Sequence, residues 1–201
     1  MKVLVIGSGG REHAICWAVS RNKSVKELYC APGNGGISEV AQIVKIGPES
    51  LDELVDFALN KKIDLTIVGP ENPLSLGIVD LFRKNHLLIF GPNQYSSQFE
   101  SSKEFSKLFM DRHEIPTAAF NSFTNFDSAK KYVSEHPLPV VIKANGLAAG
   151  KGVKVCNSYD EANIFLKSLM EDRIFSKSGE KVVVESFLDG EEASFFVFTD
   201  G

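Results

Sequence analysis

The chain has 201 residues, 43% of them hydrophobic and 24% charged, which is enough to bury a core in one or two domains and excludes a disordered segment. Its 26 acidic and 22 basic residues leave a net charge of -4, which argues against a generalised nucleic-acid surface; apolar runs such as Val3 to Ile6 and Leu87 to Phe90 are far too short for a membrane span or a signal-peptide core. Cys16, Cys30 and Cys156 are isolated, and His13, His86, His113 and His136 have no metal-ligand spacing, so disulfides and zinc are disfavoured and the cytoplasm is the expected compartment. Cys16 reads as core, and the last three histidines read as surface.

Lys2 to Ile6 reads as a short buried strand, and Gly7-Ser8-Gly9-Gly10-Arg11-Glu12-His13-Ala14 leads from it into an amphipathic helix carrying Ile15, Cys16, Ala18 and Val19. Free amides and the positive end of the helix dipole make such a junction an anion site. A dinucleotide fingerprint, Gly-x-Gly-x-x-Gly, breaks at Glu12, and the second strand, Glu27 to Ala31, does not end in an acid placed for a ribose. A nicotinamide cofactor is therefore disfavoured. Pro32-Gly33-Asn34-Gly35-Gly36 follows that strand, either as a plain tight turn or as a second amide-rich loop suited to a phosphorylated sugar.

Ser50-Leu51-Asp52-Glu53 has the form of a capping box for a helix through Leu59. Leu65 to Val68 is the next strand, ending in the turn Gly69-Pro70-Glu71-Asn72-Pro73-Leu74. That turn sets Glu71 at the carboxyl edge of the sheet, as a solvated acid or as an acceptor for a ligand hydroxyl or amine. A helix from about Leu76 to Lys84 and a strand Leu87 to Phe90 complete an alternating pattern that implies a parallel, doubly wound sheet.

Beyond Gly91-Pro92, Ser101-Ser102-Lys103-Glu104 starts a helix with Phe105, Leu108, Phe109 and Met110 on one side. Strand, helix and strand then follow at Ala118 to Phe123, Asp127 to Glu135 and Val140 to Lys143. A loop of small residues leads to a strand Val153 to Cys156, a helix capped at Ser158-Tyr159-Asp160-Glu161, a strand Val182 to Glu185 and a last strand Ala193 to Thr199. The loop holds Gly146, Gly150 and Gly152, with Lys143 at the end of its first strand and Lys151 inside Gly-Lys-Gly. Accessible amides flanked by two cations suit a polyphosphate; the plainer alternative is an exposed hairpin with solvated lysines. The Walker pattern fails, because Gly152 stands where it needs Ser or Thr.

Lys143 to Val153, Lys-Ala-Asn-Gly-Leu-Ala-Ala-Gly-Lys-Gly-Val, resembles the glycine-rich loop of the ATP-grasp ligases, in the version of the glycinamide ribonucleotide synthetase (phosphoribosylamine-glycine ligase) family. The segments 7–14, 32–36 and 69–74 resemble that family's amino-terminal motifs in the same order, and Ser-Lys-x-Phe-x-Lys at 102–107 resembles the ATP-grasp helix that lends a lysine to the nucleotide. The match departs at Asn145, where the family usually has Asp; the amide cradle does not depend on that charge.

The resemblance implies an α/β fold with a doubly wound parallel-sheet amino-terminal domain at 1–100 that binds substrate. An ATP-grasp lid would follow at 121–188, with the start of an incomplete ATP-grasp core at 101–120 and 189–201. It implies ATP-dependent joining of phosphoribosylamine and glycine in purine biosynthesis. ATP would meet Lys103, Lys143, Gly150, Lys151, Gly152, Glu185, Leu188 and Glu192, with Glu191 a weaker choice for the ribose. The sugar phosphate would meet Gly9, Gly10, Arg11, Asn34, Gly35, Gly36 and Glu71. Magnesium is implied as well, with ligands on later family strands that have no counterpart here, so the 201-residue chain is expected to show little turnover by itself. No nucleic-acid or membrane partner is expected. The rivals are an ATP-grasp carboxylase and a nucleotide-binding module without turnover.

Overall fold

The computed structural model describes residues 1–148 and 150–197. They fall into two compact units, one from Met1 to Ser106 and one beginning at Lys107.

The first unit is built on β1 (Lys2–Gly7), β2 (Glu27–Pro32), β3 (Gln42–Ile43), β4 (Leu65–Val68) and β5 (Ile89–Phe90). All pairs are parallel, in the order β3-β2-β1-β4-β5. β1 is central and apolar on both sides, as a strand covered on both faces must be. Leu4 and Ile6 join a core with Leu54, Val55 and Ala58 of α2 (Leu51–Lys61), while Val3 and Val5 join Cys16 of α1 (Gly10–Ser20) on the opposite face. The doubly wound expectation holds. Ala18 of α1 is exposed, as is Trp17 at 53%.

Between β4 and β5 the chain makes two helices where one was expected. α3 (Glu71–Ser75) occupies what read as a turn, because Pro73 sits in its first turn, where the backbone N–H has no helical partner. Gly77, at φ +89, then turns the chain into α4 (Ile78–Lys84), a left-handed conformation that favours glycine. Ser50 does not close a capping box; its side chain accepts no cap hydrogen bond, and only its carbonyl accepts from the Leu54 N–H. β5 starts at Ile89, leaving Leu87 and Leu88 outside the strand. α5 (Gln98–Ser101) and α6 (Lys103–Arg112) follow.

The second unit is an antiparallel sheet in the order β6-β9-β7-β8, made of β6 (Phe120–Phe123), β7 (Val140–Ala144), β8 (Val153–Cys156) and β9 (Val182–Ser186). α7 (Phe126–Ser134) and α8 (Tyr159–Met170) cover one face. Asn125 caps α7 by accepting from the Ser128 N–H at 2.9 Å, and Ser158 caps α8 by accepting from the Glu161 N–H at 3.2 Å. Side chains alternate along the strands: Val140, Ile142 and Ala144 of β7 and Val182 and Val184 of β9 pack with Ala129, Val133, Ala162, Leu166 and Leu169 of the helices. β6 begins two residues later than expected. The strand expected over Ala193 to Thr199 is absent from residues 193–197, and its last two positions lie outside the described residues.

Phe82 is fully buried and Trp17 half exposed. Phe82→Ala is expected to cost about 3–5 kcal/mol in urea unfolding, whereas Trp17→Ala stays within about 1 kcal/mol.

Candidate binding sites

At the carboxyl edge of the parallel sheet three loops converge, after β1, β2 and β4. Asn34 ties the first two together: its Nδ2 donates to the Ser8 carbonyl at 2.7 Å and its Oδ1 accepts from the Ile37 N–H at 2.9 Å. The Gly33 N–H donates to the Gly7 carbonyl at 3.0 Å. Asn34 therefore acts as a strut. Gly10 and Gly35 have open space where a Cβ would stand, while a Cβ on Gly36 would lie 2.8 Å from Cε1 of His13, so this loop packs closely against the imidazole.

Arg11 Nη1 donates to Glu71 Oε1 at 2.6 Å, linking the β1 and β4 loops. The guanidinium hydrogen bond holds the Glu71 carboxyl below its ordinary value of 4.5, and the carboxylate raises the Arg11 pKa in turn.

Glu12 read only as the residue that broke a dinucleotide fingerprint. It is 3% exposed, and its Oε2 accepts from the Gly9 N–H at 2.6 Å, so the start of α1 carries its own carboxylate. Cβ atoms on Gly7 or Gly69 would lie 2.4 Å from its Cγ and 2.0 Å from its Oε1 respectively, so both glycines make room for this side chain. Oε1 has no hydrogen-bond partner, and Arg11 Nε stands 4.0 Å from it. A carboxylate is thus already seated at the amides that open α1.

The second site is a cleft of about 660 Å³ on the face of the antiparallel sheet that the helices leave open. Val141 and Lys143 of β7, Val153 and Val155 of β8 and Glu185 of β9 form its floor, with Phe187 to Ala193 along one side. Apolar valines beside a charged cluster suit a flat heteroaromatic ring with a polar edge. Glu185, 5% exposed, lies between two ammonium groups: Lys143 Nζ is 2.9 Å from both carboxylate oxygens and Lys107 Nζ is 2.8 Å from Oε2. Lys107 also donates to Thr117 Oγ1 at 2.7 Å.

The structure brings Lys143, Glu185, Leu188, Glu191 and Glu192 together in this lining. Gly150, Lys151 and Gly152 sit in the β7–β8 connection, which is anchored below: the Gly146 N–H donates to the Ser178 carbonyl at 3.2 Å and Ser178 Oγ to the Leu147 carbonyl at 2.8 Å. Gly150 has φ +76, and a Cβ on Gly152 would meet that of Ala148 at 2.6 Å, so the loop requires glycine at both. Lys103 opens α6 within the first unit; the residue of α6 in the cleft is Lys107, one turn later. Lys107 is the last residue of Ser-Lys-x-Phe-x-Lys, which was the signal available for it. His136 is half-buried, bonded through Nε2 to Ser186 Oγ at 3.0 Å, which corrects its reading as a plain surface residue. Among the described residues no group of three or more His, Cys, Asp or Glu could hold a metal ion, and no helix is long and apolar enough to cross a membrane.

The antiparallel sheet and its lysine-floored cleft fall in the part of the chain, residues 101–201, that matches an ATP-grasp domain. At 16% identity the fold alone is shared with the biotin carboxylase domain of 2-oxoglutarate carboxylase from Hydrogenobacter thermophilus, with a TM-score of 0.74 over 94% of this chain and 44% of that one. The model of the phosphoribosylglycinamide synthetase N domain matches residues 1–100, and that of the same family's ATP-grasp (A) domain matches 101–201. The chain belongs to the phosphoribosylglycinamide synthetase family. It is 52% identical over 203 aligned positions to the phosphoribosylamine-glycine ligase of Vibrio cholerae, covering all of this chain and 47% of that protein. The crystal structure of phosphoribosylamine-glycine ligase from Thermotoga maritima matches with a TM-score of 0.77 at 29% identity, over 95% of this chain and 45% of that one. The chain thus spans about half the length of the relatives it matches.

Two outcomes test the first site. Because the Glu71 pKa is lowered on folding, its pairing with Arg11 stabilises the unit above pH 4.5 and is lost as pH falls through the lowered value. Arg11→Gln should move the Glu71 carboxyl back toward 4.5 in an NMR titration and remove that part of the acid limb. Gly69→Ala, forced against Glu12, should cost about 1–3 kcal/mol in chemical denaturation, and Gly10→Ala less than about 1 kcal/mol.

Proposed function

We propose that the chain supplies the sugar-binding and nucleotide-binding parts of a cytoplasmic ATP-dependent ligase of purine biosynthesis, which joins 5-phosphoribosylamine to glycine. The supporting observation is the 52% identity across the whole chain to a phosphoribosylamine-glycine ligase, together with the converging loops and the lysine-floored cleft. Residues 1–100 would form the substrate domain, 121–188 the lid, and 101–120 with 189–201 a part of the ATP-grasp core.

A glycine carboxylate does not acylate an amine until one oxygen becomes a leaving group. ATP would transfer its terminal phosphoryl group to that oxygen, giving glycyl phosphate and ADP. The sugar amine would then attack the carbonyl carbon, lose a proton and expel phosphate, leaving glycinamide ribonucleotide. The protein's part is positioning and charge neutralisation.

Gly10, Gly35 and Gly36 would offer amides to the sugar phosphate and Gly9, whose own N–H is held by Glu12, would line its pocket, with Arg11 and Glu71 at its polar face and Asn34 holding the loops in place. Lys103, Lys143 and Lys151 would neutralise phosphate oxygens, the strand end at Glu185 and Leu188 would meet the adenine edge, and Glu192 the ribose. Among the described residues no group of three or more His, Cys, Asp or Glu could hold a metal ion, and the roles assigned to this chain's residues are binding and charge neutralisation.

The decisive assay is ADP release with phosphoribosylamine generated in the tube, with and without glycine, by the protein at the full length of its relatives. Glycine-dependent release is expected; release that needs bicarbonate instead would make the protein a carboxylase. In this chain, Lys151→Ala should weaken ATP binding about tenfold, about 1.4 kcal/mol, and leave ribose 5-phosphate binding unchanged by calorimetry. Loss of both together would count against two separate sites.

A further inference from the structure

The two lysines on Glu185 are not equivalent. Lys107 is 7% exposed, and its ammonium is committed to Glu185 Oε2 at 2.8 Å and Thr117 Oγ1 at 2.7 Å, with the Phe120 ring 5.7 Å away. Lys143 has Glu185 as its described partner, and its side chain is 26% exposed on the cleft floor. One carboxylate between two ammonium groups carries a net charge of +1. If Lys143 alone faced Glu185, turning toward an incoming anion would strand a buried carboxylate without a counter-ion, which is strongly unfavourable. With Lys107 in place Glu185 keeps a partner throughout.

We propose that Lys107 is a positioning residue for the nucleotide cleft: it holds Glu185 as a permanent counter-ion and so releases Lys143 to bind a phosphate, without touching the ligand itself. This rests on the nucleotide reading of the cleft and adds to it the residue that makes the phosphate lysine available.

The test compares ATP with adenosine, since the ratio of their affinities isolates the contribution of the phosphates. Lys107→Met keeps the aliphatic bulk but clamps Lys143 to Glu185, and the ATP-to-adenosine ratio should fall about tenfold, about 1.4 kcal/mol. Glu185→Gln removes the clamp, so the double variant Lys107→Met with Glu185→Gln should return to within about threefold of Glu185→Gln alone, a rescue that general damage to the fold would not produce. An unchanged ratio in Lys107→Met, or a double variant as low as that single one, overturns the proposal. Should Lys107→Met fail to fold, Thr117→Val, which removes the second anchor of Lys107, takes its place with an expected fall of about threefold, and no fall counts against the role.

A readout without nucleotide separates this idea from the reading beneath it. Reductive methylation of Lys143, followed by peptide mass spectrometry, should be about tenfold slower in Lys107→Met than in the parent chain, because a clamped amine reacts slowly. Equal rates overturn the proposal even if ATP binds. If the parent chain binds neither ATP nor adenosine, the nucleotide reading fails by itself, and the labelling rates still decide whether Lys107 frees Lys143.

Discussion

The two-residue alternation of β7 and β9 is the constraint on which the second unit depends. Val140, Ile142 and Ala144 point into the helices, which leaves Val141 and Lys143 on the opposite face, and Val182 and Val184 do the same beside Glu185. The packing that holds the sheet to α7 and α8 is therefore also what aims the lysine and the carboxylate into the cleft. A slip of one residue in the β7–β9 pairing would send Lys143 into the core and Ile142 into the cleft. Core and site share a single register.

Each unit buries one carboxylate at its site, and the two are satisfied differently. Glu12 is held by a backbone N–H and by the absence of side chains on Gly7 and Gly69, so the surroundings are shaped around it. Glu185 is held by two ammonium groups brought from α6 and β7. In the first case the charge is fixed among main-chain groups; in the second it is balanced by side chains that can exchange partners. The loops around Glu12 thus suit a rigid receptor for a small polar ligand, and the cleft around Glu185 suits a site whose charges must rearrange as a polyanion arrives.

Much of this was legible in the sequence because it is local. Apolar runs ending in glycine turns gave the strands and their order of use, and Asn145 to Gly152 could be placed as a hairpin loop from its small residues alone. What escaped depended on distant partners or on a single backbone angle. On α6 the sequence sets Phe105, Leu108, Phe109 and Met110 on one side and gives no sign that Lys107 is buried; Leu108 is 49% exposed and Lys107 buried, because a lysine can be buried once a carboxylate on β9 meets it. Glu12 was passed over for a similar reason: its pocket is made by glycines on two different strand ends. α3 and α4 merged into a turn and a helix because Pro73 reads as a breaker and Gly77 as an ordinary helical residue until its positive φ is seen.

The place of β9 within its sheet also bears on how the chain is made. The five strands of the first unit are complete by Phe90, and every strand after β1 pairs with one that precedes it in the chain. In the second unit β6 and β7 both wait for β9, the last strand of the described chain, which lies between them. During synthesis the first unit can therefore close while the second holds only the β7–β8 hairpin and its helices, and the cleft floor comes into being when Val182 to Ser186 leaves the ribosome. Until then the edges of β6 and β7 stand unpaired, the interval in which a chaperone or a neighbouring chain would find them.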